Sequence, residues 1–376
     1  MFHVKQETPA ALRFLDHALQ RAREQDLLRD RPPPPDGRAL SFCSNDYLSL
    51  ALDRAPAEAS GAGASRLVSG DRPIHAKLEE AAAALVGQAA ALVFTSGYAA
   101  NVGLLSALAG PGDLVVSDAL NHASIIDGAR LSRARVAVVP HLDLGAVEAT
   151  LRARTERHAF VVTESYFSMD ADSPDLAALR NLCDAHDAAL LVDEAHALGV
   201  LGPDGAGLCA EAGVSADVLV GTFGKAFGAG GAFVSGCPAL ITWLWNRARS
   251  FVFSTGLSPV VADAALRGLD RARSEPARRL RVRAAAAALR DGLGRLGIQP
   301  WGAGHIVPWV LGLTARALHV ATALTDRGLQ VRAIRPPSVP DGAARIRLTV
   351  TAAHAAADIE RALGDIAAVV AGRGGE

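Results

Sequence analysis

The sequence predicts an α/β fold: a mainly parallel sheet covered by helices on both faces, followed by a smaller α+β unit. Three observations predict it. From about residue 70, short apolar runs recur between helix-length segments, the pattern of strands buried on both faces and joined by crossover helices. After residue 236 the pattern changes, and two long helical stretches precede the next strands. The chain has 376 residues, 50% hydrophobic and 20% charged, long enough for two or three units with a substantial core.

Each element follows in order. Residues 11–30 predict an arginine-rich amphipathic helix, ended by the run Pro32–Pro35 and a turn at Asp36-Gly37. Asp71-Arg-Pro-Ile supplies a cap residue and an early proline for a helix that runs to Gly87. Ala91–Thr95 reads as a strand, Tyr98–Leu108 as a helix and Pro111-Gly-Asp as a turn. Leu114–Ser117, Val136–Val139, Phe160–Thr163, Leu190–Asp193 and Val218–Gly221 are further short apolar strands. Beyond them come helices at about 257–273 and 276–296, strands near 306–313, 329–334 and 345–350, and a helix over 354–371. The expected division is an N-terminal arm (1–40), a large unit (41–235) and a C-terminal unit (236–376), the last boundary falling within 236–256.

Composition excludes several classes of function. A net charge of −1 with no basic patch or charged tail argues against nucleic acid and anionic membranes as partners. Residues 81–112 carry no charge, but Gly87-Gln88, Thr95-Ser-Gly97, Asn101 and Pro111-Gly112 interrupt them, so no run of about twenty apolar residues exists. The N-terminus shows no secretory apolar region. Cys43, Cys183, Cys209 and Cys237 are far apart and form no CxxC pair, which suggests neither a disulfide framework nor a metal site and fits a reducing cytoplasm.

Of 38 basic residues only Lys5, Lys77 and Lys225 are lysine. Lys225 sits in the glycine-rich run Gly221-Thr-Phe-Gly-Lys-Ala-Phe-Gly-Ala-Gly-Gly231, between two apolar segments. An amine can lose its proton and attack a carbonyl, which a guanidinium cannot, and glycines let the backbone approach a bulky ligand. A surface loop lysine is the alternative. Leu190-Leu-Val-Asp-Glu-Ala-His196 ends a buried strand on Asp193. A carboxylate there is costly unless it meets a cation or a ring N–H; it either caps the next helix or keeps a pyridine nitrogen protonated, which strengthens pyridoxal phosphate as an electron sink. Thr95-Ser-Gly-Tyr-Ala-Ala-Asn101 is a strand-to-helix turn whose N–H groups suit a phosphate. Asn121-His-Ala-Ser124 adds an imidazole, structural or catalytic, beside another strand end. Two rival glycine motifs fail on context. Gly61-Ala-Gly-Ala-Ser-Arg66 follows no strand and lacks its third glycine, and Gly221-Thr-Phe-Gly-Lys225 has Ala226 where a phosphate loop needs Ser or Thr.

From about Arg29 to the C-terminus the chain resembles the α-oxoamine synthases among the fold-type I pyridoxal-phosphate enzymes. The motifs are Asn45-Asp-Tyr-Leu48, Ser65-Arg-Leu-Val-Ser-Gly70, Ser96-Gly-Tyr-Ala-Ala-Asn101, Asn121-His-Ala-Ser124, Phe167-Ser-Met-Asp170, Asp193-Glu-Ala-His196 and Thr222-Phe-Gly-Lys225. Ala333-Ile-Arg-Pro-Pro-Ser-Val-Pro340, followed by Ala344-Arg-Ile-Arg-Leu-Thr-Val-Thr-Ala-Ala-His354, resembles the branch that joins L-alanine to a pimeloyl thioester in biotin biosynthesis. The segment Leu52-Asp-Arg-Ala-Pro-Ala-Glu-Ala-Ser60 is shorter than its family counterpart.

The resemblance implies pyridoxal 5'-phosphate as cofactor and a role for each matched residue. Lys225 would anchor the cofactor and then act as base on the substrate α-proton. Asp193 would pair with the pyridinium nitrogen, His196 would hydrogen-bond the ring oxygen, and His122 would stack on the ring and orient substrate. Gly97, Tyr98, Ser168 and Thr222 would contact the cofactor, with Ser254 and Thr255 reaching the phosphate of a neighbouring subunit in a homodimer. Arg347 would bind the amino-acid carboxylate with Asn45 nearby, and Arg29 and Ser338 would contact the acyl substrate. The acyl donor would be a coenzyme A or acyl-carrier-protein thioester. Another α-oxoamine synthase, a catalytically silent protein of this fold acting as a regulator, and a nicotinamide-dependent dehydrogenase are the alternatives.

Overall fold

The strands, in chain order, are β1 (Leu40–Ser41), β2 (Ala90–Phe94), β3 (Leu114–Asp118), β4 (Arg135–Val139), β5 (Ala159–Glu164), β6 (Ala189–Asp193), β7 (Val218–Thr222), β8 (Ala232–Gly236), β9 (Ile306–Gly312), β10 (Leu329–Gln330), β11 (Ala333–Ile334) and β12 (Ala344–Thr349). The computed structural model describes Gln20 and residues 23–25, 40–42, 47–48 and 61–372. Within the helix expected over 11–30, Gln20, Arg23 and Glu24 are described and helical. Arg29, Asn45 and the short segment 52–60 lie outside the described residues.

Seven strands form the central sheet in the order β2-β8-β7-β6-β5-β3-β4. The five strands from β7 to β4 are parallel, whereas β8 runs antiparallel to both β7 and β2. The reason is connection length. Only residues 223–231 join β7 to β8, too few for the crossover helix a parallel return requires. Side chains alternate between two cores, as a period of two dictates. Val93, Leu114, Val116, Val161, Leu190 and Val192 enter one core, while Leu92, Val115, Val162, Leu191 and Val220 enter the other. Both faces are therefore apolar, which explains the uninterrupted hydrophobic runs in the sequence.

The parallel strands all end along one edge of the sheet. Asp118, Glu164, Asp193 and Thr222 are the last residues of β3, β5, β6 and β7, and Glu164 is the register partner of Asp193. Ligands in open α/β sheets collect at such an edge.

Past β8 the chain builds helices Pro238–Arg247, Pro259–Ser274, Pro276–Arg295, Thr314–Asp326 and Ala356–Ala371 around an antiparallel sheet β11-β12-β9. Two of these helices add to the sequence expectation. Pro238–Arg247 opens on a first-turn proline, whereas Thr314–Asp326 starts after Leu313 with no capping side chain and so gives no start signal. The single strand expected over 329–334 is two. β10 pairs in parallel with β1 and β11 pairs with β12, so the chain changes partners at Val331-Arg332. Phe42 and Tyr47 are stitched to the C-terminal elements, the Thr349 N–H donating to the Phe42 carbonyl at 2.9 Å and the Ala352 N–H to the Tyr47 carbonyl at 2.7 Å. This carries Tyr47 to β12.

Among the described residues no helix is long and apolar enough to cross a membrane, and no group of His, Cys, Asp or Glu could hold a metal ion.

Candidate active site

Helix Gly97–Leu108 leaves the end of β2 with Ser96 as its cap, the Ser96 Oγ accepting the Ala99 N–H at 3.1 Å. The free N–H groups of its first turn, together with the helix dipole, form an anion site. Thr222 faces this turn. A Cβ added at Gly97 would lie 3.9 Å from Thr222 Cβ, so glycine there keeps room beside the threonine hydroxyl, which donates to the Gly231 carbonyl at 3.1 Å. The Tyr98 ring is exposed, and its hydroxyl donates to Asp127 Oδ2 at 2.6 Å.

The same helix supplies the partner of Asp193. Asn101 is a buried amide in a mainly apolar helix, and it donates through Nδ2 to Asp193 Oδ2 at 2.7 Å and to Ser124 Oγ at 3.0 Å. Helix Ala123–Ser132 can come that close because Gly128 meets the Asn101 carbonyl, where a Cβ would stand 2.8 Å from the oxygen. Ser124 in turn contacts His122, whose Nδ1 lies 2.7 Å from Ser124 Oγ and accepts the Ser124 N–H at 3.2 Å. Because Nδ1 accepts, the proton of the neutral ring sits on Nε2. Burial lowers the pKa of His122, with Lys225 acting the same way and Asp193 opposing. The chain Asp193–Asn101–Ser124–His122 thus joins two of the residues singled out in the sequence through two that were quoted only as parts of motifs.

Lys225 lies in the β7–β8 connection. Burial brings its pKa down to about 8, with Arg347 acting the same way and the carboxylates of Asp193 and Glu164 opposing. At neutral pH such an amine is within reach of its deprotonated form. Glu164 was not singled out in the sequence, although a charged residue ending an apolar strand was the signal that drew notice to Asp193. Its Oε1 accepts the His122 N–H at 2.8 Å, and burial first, then Asp193, push its pKa up to about 8 while Lys225 opposes.

His196, Tyr47 and Arg347 form a second cluster. The Tyr47 hydroxyl is 2.9 Å from His196 Nδ1 and accepts Arg347 Nη2 at 3.2 Å. Accepting from the guanidinium leaves the hydroxyl proton available for Nδ1, an arrangement in which Nε2–H of His196 is a donor. Burial, reinforced by Lys225 and Arg347, pushes the pKa of His196 well down, so the ring is neutral. Arg347 also donates through Nε to the Ser168 carbonyl at 2.6 Å, and its neighbour Arg345 donates to Met169 O at 2.8 Å and Asp170 Oδ1 at 2.6 Å. The loop bearing Ser168 is therefore clamped onto β12.

The remaining residues lie elsewhere. Ser338 stands on the exposed turn between β11 and β12, its N–H on the Arg335 carbonyl at 3.0 Å. Ser254 and Thr255 follow the exposed Phe253, in a segment tied back by the Gly256 N–H to the Ala64 carbonyl at 2.9 Å.

The donor set suits a phosphorylated pyridine aldehyde. An amine, a buried carboxylate for a ring N–H, an Nε2–H donor and a helix N-terminus beside a hydroxyl each match one functional group of pyridoxal phosphate. Residues 38–366 match the family "Aminotransferase class I and II". The 8-amino-7-oxononanoate synthase of Anaeromyxobacter dehalogenans is 50% identical over 89% of this chain and 87% of its own length, and that of Marinobacter nauticus is 46% identical over 87% and 86%. Among solved structures, Sphingomonas wittichii serine palmitoyltransferase superposes with a TM-score of 0.90 at 28% identity, covering 98% of this chain and 99% of its own. The 8-amino-7-oxononanoate synthase of Francisella tularensis gives 0.77 at 25% identity over 89% and 99%.

Proposed function

The chain belongs to the class I and II aminotransferase family and is a pyridoxal-phosphate-dependent acyltransferase, and from that premise we propose that it joins L-alanine to a pimeloyl thioester. The Cα of alanine forms a bond to the thioester carbonyl, the C–S bond breaks, and the alanine carboxyl leaves as carbon dioxide. The products are 8-amino-7-oxononanoate and free coenzyme A or carrier protein, in biotin biosynthesis. We place this reaction in the cytoplasm and the active site between the subunits of a homodimer.

The observation that carries the reaction class is a buried amine with a pKa of about 8, set among Asp193, Glu164 and Arg347 at the ends of parallel strands. Pyridoxal phosphate, when bound, supplies the electron sink that lets an amino acid react at Cα. In this reading Lys225 anchors it and moves the α-proton, Asp193 keeps its ring nitrogen protonated, and His196 donates Nε2–H to its ring oxygen. His122 covers the ring face, and Ser168 lines the site through the loop clamped on Arg347. Gly97 and Tyr98 contact the cofactor and Thr222 holds its phosphate, with Ser254 and Thr255 reaching it from the neighbouring subunit. Arg347 takes the substrate carboxylate in a bidentate pair, with Asn45 beside it. Arg29 and Ser338 meet the acyl chain, Arg29 pairing with its distal carboxylate.

Alanine over glycine rests on the segment Ile334-Arg-Pro-Pro337 and on the relatives, since one methyl group changes binding by only about 1–3 kcal/mol. Serine with a long acyl thioester is the second reading, favoured by the structural likeness to serine palmitoyltransferase. Thiol release measured for alanine, glycine and serine against pimeloyl-, acetyl-, succinyl- and palmitoyl-CoA separates them. Alanine with pimeloyl-CoA is expected to win, and Arg29→Ala to weaken use of that donor selectively. A preference for glycine with acetyl- or succinyl-CoA, or for serine with palmitoyl-CoA, sinks the substrate assignment.

A further inference from the structure

We propose that Glu164 is a positioning residue of this site, which fixes the turn carrying His122 and, in its ionised form, favours the protonated form of Lys225. The inference rests on the reading of Lys225 as the functional amine.

Glu164 ends β5 directly beside Asp193 on β6, so the sheet presents two carboxylates side by side at its ligand edge. It is 5% exposed, and its hydrogen bond among the described residues is with the backbone N–H of His122 at 2.8 Å. Among the described residues no arginine pairs with it. Charged groups face it from three elements: Asp193 from β6, Asp118 from β3 and Lys225 from the β7–β8 connection, with the partly buried His122 above the N–H it accepts. A buried carboxylate with no guanidinium is expensive. Any residue with an acceptor would satisfy the His122 N–H, so the turn alone does not require an acid. An acid does something an amide cannot. Once ionised, its charge favours the ammonium form of Lys225, and because both groups titrate near 8 their protons leave in steps that belong to the pair. The strand end thus supplies a second proton-holding group next to the amine.

Two substitutions divide the proposal. Glu164→Gln keeps an oxygen for the His122 N–H and removes the charge, while Glu164→Ala removes both. Because the chain has three lysines, trace acetylation of the full-length, cofactor-free protein from about pH 6 to about pH 10 reads Lys225 by peptide mass spectrometry, with Lys77 as internal control. The expected result for Glu164→Gln is a Lys225 midpoint lower by about half a unit or more, with pyridoxal phosphate affinity within about threefold of wild type. Glu164→Ala lowers the midpoint similarly and weakens cofactor binding about tenfold or more, because the His122 N–H is left buried without an acceptor. If the alanine variant does not fold, Glu164→Asp, too short to reach that N–H, takes its place. A Lys225 midpoint in Glu164→Gln equal to wild type overturns the charge role, and equal cofactor affinity in the two variants overturns the positioning role. Neither measurement uses a substrate, so a failed substrate assignment leaves the result readable.

Discussion

The Tyr47 hydroxyl lies 2.9 Å from Nδ1 of His196, and it joins Tyr47, held to Ala352 through its carbonyl, to the strand-end motif that begins at Asp193. The same oxygen accepts from Arg347 at 3.2 Å, and the edge of the Tyr47 ring packs against His305 with centroids 4.3 Å apart. One phenol thereby fixes the tautomer of an imidazole and the rotamer of a guanidinium.

Tyr47→Phe keeps the ring packing and deletes both hydrogen bonds. Losing a buried partner costs about 1–3 kcal/mol, and the guanidinium that loses this contact is the group assigned to the substrate carboxylate. The expected outcome is a KM for the amino acid raised about tenfold or more, with a smaller change in kcat, at unchanged circular dichroism. Unaltered KM in a folded variant would falsify the Tyr47–Arg347 coupling.

Lys225→Ala removes the amine that is assigned both anchoring and proton transfer. Turnover should be abolished while the fold persists, because among the described residues no hydrogen bond of this side chain supports the core. Reduction of the cofactor-loaded wild type with borohydride should attach the cofactor to Lys225 and not to Lys77. Normal turnover in the alanine variant ends this mechanism.

Asn101→Ala tests the buried chain beneath the site. The Asp193 carboxylate would lose its 2.7 Å donor and Ser124 its 3.0 Å one. Weaker binding of pyridoxal phosphate, about fivefold to a hundredfold, is the expected reading from fluorescence titration. Asp193→Asn should retain some cofactor but slow deuterium exchange into alanine by orders of magnitude, since the ring nitrogen loses its anion. Wild-type exchange in that variant counts against the role of Asp193.

The sequence exposed the strand ends well because four of the five parallel strands, β3, β5, β6 and β7, are largely apolar and stop on a polar residue. Asp193 was visible for that reason and Lys225 through its rarity and its glycine-rich run, and eight of the twelve strands fell within a residue or two of their observed limits. What stayed hidden depended on long-range pairing. The antiparallel course of β8 follows from a short connection, yet nothing in Ala232–Gly236 itself records its direction. The break within 329–334 arises because β10 meets β1, almost three hundred residues earlier in the chain. Asn101, Ser124, Glu164 and Tyr47 were quoted or passed over as single polar letters, and only their mutual distances reveal a network.

His141 offers a test with a defined pH window. Its Nδ1 lies 2.8 Å from Asp118 Oδ1 and its Nε2 3.1 Å from Asp172 Oδ2, so one ring ties the end of β3 to the loop that bears Ser168. Burial opposes charge on the ring, but the two carboxylates together outweigh it and push its pKa up to about 10. A histidine raised above its unfolded value of about 6.5 stabilises the fold fully below that value and progressively less as pH climbs toward the folded one. The clamp should therefore be intact at pH 7 and weaken across the interval from about 6.5 to 10. His141→Gln can still hydrogen-bond but carries no charge. Its melting temperature should lie a few degrees below wild type near neutrality, with the gap closing as the pH approaches 10. Differential scanning calorimetry of both proteins across that range decides the matter. A gap that stays constant with pH would mean the ring is held neutral, and that the loop bearing Ser168 is secured by Arg345 and Arg347 alone.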